Sequence, residues 1–437
     1  MAAVRTVAEG GSLPPFPDGL DCGMFWKMAR RHNLAGMVCH AVEKCGIPLP
    51  HEIRDRFRKE KKRDIVRALK LMGEAGKVFK ILERAEIPFV PLKGCLIRKL
   101  YPLPEMRTMG DVDILLQPKD LGKVGELIVS ELGFREGSRS IDGYLYRKDG
   151  AVLETHDTLF KPERIRRTGV RDGFGTDDLW QRLEKENGWE YRLRMSDEDF
   201  LASFLIHFAQ HFVKCGLGAR FVLDYWFLRK NGLADLQACG SRLERLGLLE
   251  LAQKIGDLSE LWFGGAEPYA FQADGVVPLY RPDAPVVSEP NADGGGNPPG
   301  STGALAFPSM NWKAKFDNAP ADILRLEKFI LSSGLFGVER NIRVLQFCER
   351  VEGGADGRGR FLYLVRSVFP SRSLMAELYP SYSGKAFFYP FYWLALVKRR
   401  LGSLSRYLRK IAAVMKMAPR EANEAEELMR SCGLGRK

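Results

Sequence analysis

The sequence predicts an α+β protein: a small mixed sheet between about residues 86 and 195, flanked by helical regions on the N-terminal and C-terminal sides. Three observations predict it. Ile65, Ala68, Leu69, Met72, Ala75, Val78, Phe79 and Leu82 recur at helical spacing just before the sheet region. Short apolar runs then follow in the order strand, helix, strand, helix, hairpin. After Ser196 the helical spacing returns.

Residues 1–85 read as an N-terminal helical region, and the helix through Leu82 ends at Glu86-Ile87-Pro88. Phe89-Val90-Pro91-Leu92 is a short strand, although Pro91 weakens that reading. Lys93-Gly94 is a strand-to-helix turn, and Cys95 to Tyr101 a short helix stopped by Pro102. Pro104 to Gly110 is a loop, and Asp111 to Leu116 a strand. Pro118 opens a helix with Leu121, Val124, Leu127, Ile128 and Leu132 on one face, and Gly133 is placed to close it. Tyr144 to Lys148 and Ala151 to Thr155 flank Asp149-Gly150, the dipeptide of a type I′ hairpin turn. Ser196 with Asp199 resembles a capping box, opening a helical domain over 196–266. Residues 267–319 have Gly/Pro-rich linker composition and read as a flexible insert, and 320–437 as a C-terminal helical region with a basic tail.

The chain has 437 residues and a formal net charge of +12, a balance that favours anionic partners or simply aids solubility. Its eight cysteines are scattered, with no C-x-x-C pair, so zinc-knuckle and dithiol redox chemistry are not expected. Free thiols in a reducing cytoplasm are the simplest reading. There is no signal-peptide pattern, and no apolar run approaches the roughly 20 residues needed to span a bilayer.

Asp111 and Asp113 carry the chemical expectation. At i and i+2 in a strand they point to one face, while Val112 and Ile114 to Leu116 anchor the strand. Asp-x-Asp is a common solvated turn sequence as well, and context decides. Upstream, Gly94 opens a helix whose free N–H groups suit phosphate. Downstream, Glu154 and His156 share a strand face, and antiparallel pairing would bring Glu154 beside the aspartates. Three carboxylates so placed suit two Mg²⁺ ions and phosphoryl chemistry.

Leu92-Lys93-Gly94, Tyr101-Pro102, Arg107, Asp111-Val112-Asp113-Ile114 and Leu153-Glu154-Thr155-His156 together resemble the bacterial uncharacterised nucleotidyltransferase family, of the DNA polymerase β nucleotidyltransferase superfamily. The likeness continues at His207, His211, Leu223-Asp224, Ser333 to Gly337 and Val368 to Ser371. The resemblance implies transfer of a nucleoside monophosphate from an NTP to an acceptor (small molecule, saccharide, protein or RNA), with release of pyrophosphate. It implies that Asp111, Asp113 and Glu154 are catalytic and hold Mg²⁺, and that Gly94 lies under the triphosphate. Lys93 and Arg107 are candidate nucleotide contacts, or surface and loop cations. One departure stands out: the wider superfamily has Gly followed by Ser or Gly, and Cys95 follows here. A non-catalytic nucleotide-binding or scaffolding protein that keeps the fold is the alternative.

His207 and His211, at i and i+4, fall on the face of Phe200 and Phe204 and read as core or interface histidines; zinc is the sharper alternative. Asp224 lies in an apolar run and needs a partner, for which Arg220 or a histidine is the natural choice. Leu378 to Arg420 contains no acidic residue and seven cations from Lys398 to Lys416, beside an apolar stripe of Leu401, Leu404, Leu408, Ile411 and Met415. Residues 398–417 are therefore a candidate peripheral contact with an anionic membrane, with RNA binding and burial on the protein's own helices as the other readings.

Overall fold

A computed structural model describes residues 1–264 apart from 12, 14, 141–142, 161–164, 166–167, 172–173 and 175, and then 319–333, 365, 369, 375, 389–401 and 419–434. The insert expected over 267–319 and most of the basic tail lie outside these residues.

Four helices precede the sheet: α1 (Ala2–Glu9), α2 (Cys22–Arg31), α3 (Ala35–Lys44) and α4 (His51–Arg84). At 34 residues, α4 is about 51 Å long and serves two cores. Ile53 and Phe57 belong to a mainly helical core, whereas Leu71, Ala75, Val78, Phe79 and Leu82 lie under the sheet. The expected helix over Ile65 to Leu82 is thus the second half of a longer element. Its first half carries charge on most of its faces, which masks the apolar spacing.

The sheet contains β1 (Phe89–Pro91), β2 (Val112–Leu116), β3 (Arg135–Ser140), β4 (Gly143–Lys148) and β5 (Ala151–His156) in the spatial order β1-β2-β5-β4-β3. Between β1 and β2 run a four-residue helix, α5 (Gly94–Ile97), and two short 3₁₀ turns. After β2 comes α6 (Leu121–Leu132), closed by Gly133 in the left-handed conformation, φ 68°. The β4–β5 turn has Asp149 at φ 47° and Gly150 at φ 85°, the backbone that the Asp-Gly pair suits. Most of these pairings are antiparallel, but β2 and β5 run parallel. The antiparallel pairing expected for Glu154 is therefore corrected: β4 fixes the direction of β5 through the hairpin, and the crossover through α6 and β3 lets β2 lie alongside in the same sense.

Gly143 opens β4 where another backbone passes. A Cβ there would stand 1.5 Å from the Thr155 carbonyl oxygen, which cannot give way. Gly143→Ala is expected to destabilise the fold by at least about 2 kcal/mol, read as a lower urea midpoint at unchanged slope. An unchanged midpoint would show that the strand ends part freely.

Beyond the sheet lie α7 (Thr176–Arg182), the two-residue strands β6 (Glu184–Lys185) and β7 (Leu193–Arg194), and then α8 (Asp197–Cys215), α9 (Ala219–Lys230), α10 (Leu236–Leu246) and α11 (Leu249–Phe263). Ser196 caps α8 by accepting a hydrogen bond from the Asp199 amide. Helices α8 to α11 share one core with α1 to α3, and with Val90, Leu92 and Leu115 of the sheet region. Helices α12 (Ala321–Ser333) and α14 (Pro419–Ser431) add Leu326, Ile330, Leu428 and Met429 to it. Helix α13 (Tyr389–Leu401) packs Leu396 on Met375 and exposes Phe391 and Leu394. Among the described residues, no helix is long and apolar enough to cross a membrane.

Candidate metal centre and nucleotide site

Strand β2 divides its side chains between two cores. Val112, Ile114 and Leu116 face α4 and α6, while Leu115 faces the helical core. Asp113, two residues before Leu115, takes that second face. The parallel register sets Asp113 beside Glu154 and Leu115 beside His156. One ligand atom from each of Asp113, Glu154 and His156 lies within 4.8 Å of the others. A set of two carboxylates and one imidazole fits a divalent cation by its chemistry and by its convergence.

Two side chains hold Asp113. His156 Nε2 donates to its Oδ1 at 2.8 Å, and Lys93 Nζ lies 3.5 Å from the same oxygen. Burial alone would push the Asp113 carboxyl up, but Lys93 and His156 outweigh it and hold the group well below the usual carboxylate range. Asp111 behaves oppositely. Burial first, then the charges of Asp113 and Glu154, push it up to about 6 against the pull of Lys93 and Arg220. Two neighbouring carboxylates driven apart in this way form a site short of positive charge.

Lys93 sits at the turn between β1 and α5 with φ 46° and ψ −107°, a conformation that costs a side-chain-bearing residue roughly 1–3 kcal/mol. The Leu92 amide donates to the Asp113 carbonyl at 3.0 Å, which pins this strained turn beside the carboxylates. Gly94 comes next. A Cβ there would stand 2.8 Å from Arg107 Nη1 and 3.0 Å from Met109 Cε, so a larger residue would displace these two side-chain ends. Cys95, at the position where the resemblance leads one to look for a hydroxyl, points into the core, and burial pushes its thiol up to about 12. It is a packing residue.

Arg107, a candidate nucleotide contact, is engaged by a carboxylate in the structure. Arg107 is buried, and it donates through Nε and Nη2 to Asp224 Oδ1 and Oδ2, both at 2.8 Å. Tyr101 Oη donates to Asp224 Oδ1 at 2.6 Å. The carboxylate partner is therefore Arg107 rather than Arg220, which instead donates to the Thr108 carbonyl at 2.6 Å. Planar guanidinium meets carboxylate in the two-bond fork that favours arginine.

Helix α8 brings His207 within electrostatic reach of Lys93 and Asp113. His207 is pushed well below its ordinary value by burial, then by the charges of Lys93 and His211, with Asp113 acting the other way. Its ring meets that of His211 at 4.4 Å, and both lie against Phe221. The cation-ready group among the described residues does not include this pair.

The structure thus brings Asp113 and Glu154 together, with Asp111 and Lys93 electrostatically coupled to them, and places Gly94 over Arg107. Sequence reasoning left His156 out of the metal set, although its i+2 spacing from Glu154 already placed it on the shared face. It also missed the Tyr101–Arg107–Asp224 network, for which no local signal exists.

A family model described as "Uncharacterised nucleotidyltransferase" matches residues 18–264, more than half of the chain. No curated protein and no solved structure matches it. The matched span takes in β1 to β5, the acidic and histidine cluster and the helices that cover it; the chain belongs to the uncharacterised nucleotidyltransferase family.

Proposed function

We propose that the protein is a metal-dependent nucleotidyltransferase, moving a nucleoside monophosphate from an NTP to an acceptor. The observation that carries this is the convergence of Asp113, Glu154 and His156 on one sheet face beside Lys93, in a chain of a nucleotidyltransferase family. The acceptor oxygen bonds to the α-phosphorus as the bond to pyrophosphate breaks, and the acceptor proton leaves to water. Asp113, Glu154 and His156 would hold the cation, and Asp111 would supply a further carboxylate for a second one. Bound there, divalent cations neutralise phosphate charge and orient the attacking and leaving oxygens. Lys93 presents a cation to the triphosphate, and the turn at Gly94 lets the backbone approach it closely. Mg²⁺ is the metal of the superfamily in which we place the chain, that of DNA polymerase β; the imidazole of His156 makes Mn²⁺ an equally suited ion.

The setting we propose is the bacterial cytoplasm, which suits the six described free thiols. Residues 398–417 are proposed to lie on anionic membrane, supported by their run of cations and by exposed Phe391 and Leu394 just before it.

The test is to incubate the full chain with each α-labelled NTP, Mg²⁺ or Mn²⁺, and cell extract. Metal-dependent transfer of label to an acceptor, with pyrophosphate released, is expected. NTP binding with no label transferred under any metal would instead assign the non-catalytic, scaffolding role.

A further inference from the structure

Away from the carboxylates, a groove of about 500 Å³ runs between the middle of α4 and the β4–β5 turn. One wall is a cationic row: Lys59, Lys62, Arg63, Arg67 and Lys70. Their spacings of three, four, eight and eleven residues from Lys59 put them on one helix face over about 16 Å. All five are exposed. Arg63 is paired with Glu60 and Asp64. Lys59, Lys62 and Lys70 have no ion-pair partner among the described residues. The opposite wall is Asp149 to Ala151, with Asp149 the one acidic side chain in the lining.

We propose that this groove binds the phosphate backbone of a single-stranded nucleic acid. Three observations favour that occupant. The cations repeat once per helical turn, about 5.4 Å, on the scale of successive phosphates in an extended strand. The lining holds no aromatic ring, so contacts go to phosphates and carry no base preference. The surface is concave, with the hairpin turn rising beside the helix, and a chain fits it where a flat lipid surface does not. Arg67 also ties the groove to the reaction centre: its Nη2 donates to the Gly110 carbonyl at 3.3 Å, and Gly110 immediately precedes Asp111. A strand seated on Arg67 therefore bears on the segment that leads into the carboxylates. Binding here needs neither NTP nor metal, so it stands or falls apart from the transfer reading.

The test is fluorescence anisotropy of a short, labelled single-stranded RNA with the full chain in EDTA, across a salt series. The triple variant Lys59→Glu/Lys62→Glu/Lys70→Glu should bind at least about tenfold more weakly, with a salt slope shallower by about 2, as three lost phosphate contacts require. Its circular dichroism should be unchanged, since the three side chains are exposed. A second variant, Lys398→Gln/Arg399→Gln/Arg400→Gln, tests the basic tail. Loss of binding in the tail variant alone, absence of RNA binding by the wild type, or displacement by polyglutamate or anionic vesicles as effective as by RNA would each overturn the proposal.

Discussion

Asp113→Asn is expected to abolish nucleotidyl transfer, lowering the rate by at least about 1,000-fold, on the order of 4 kcal/mol of transition-state stabilisation. Asparagine keeps the shape of the side chain and so leaves β2 seated between its two cores. It removes the charge that Lys93 and His156 both engage. A neutral amide is a poor ligand for a hard cation, so calorimetric titration with Mg²⁺ or Mn²⁺ should lose its saturable phase as well. Asp111→Asn, which removes the neighbouring carboxylate, is expected to abolish transfer and to weaken metal–NTP binding. If Asp113→Asn retains full activity and metal affinity, the metal assignment is wrong. If it loses metal affinity while the wild type transfers nothing, the site binds metal without catalysing.

Much of this site was legible because its signals are local. The Asp149-Gly150 turn, the Gly133 terminus and the Ser196 cap are each set by neighbours a few residues apart, and each stands where its spacing put it. What failed was non-local. β3 reads Arg-Glu-Gly-Ser-Arg-Ser, a polar edge strand with no alternation of apolar residues, and only its pairing with β4 makes it a strand. The direction of β2 relative to β5 depends on the crossover between them, which no single segment encodes. The same limit misdirected Asp224. Within its own helix Arg220 is the obvious partner, one turn away, but Arg107 comes from 117 residues earlier in the chain. A buried carboxylate announces that it needs a cation; it does not say which.

That distant pair is where the largest stability effect is expected. Asp224→Ala should destabilise the protein by about 3–5 kcal/mol, because it strands the buried Arg107 guanidinium and leaves the Tyr101 hydroxyl without its acceptor. The urea midpoint is the measurement. Asp224→Asn keeps an acceptor for Tyr101 but still leaves Arg107 uncompensated, so it should recover only a minor part of the loss. Arg107→Met with Asp224→Ala separates two accounts of the network. Removing both charges abolishes the desolvation of an unpaired ion, and the double variant should regain most of the lost stability. Transfer activity should not return with it. Arg107 Nη1 lies against Gly94, and the segment between Tyr101 and Gly110 leads into Asp111, so the pair fixes where the turn and the carboxylates stand. A double variant that recovers both stability and activity would show that the network serves packing alone. One that recovers neither would show that its hydrogen bonds outweigh the cost of burying the charges.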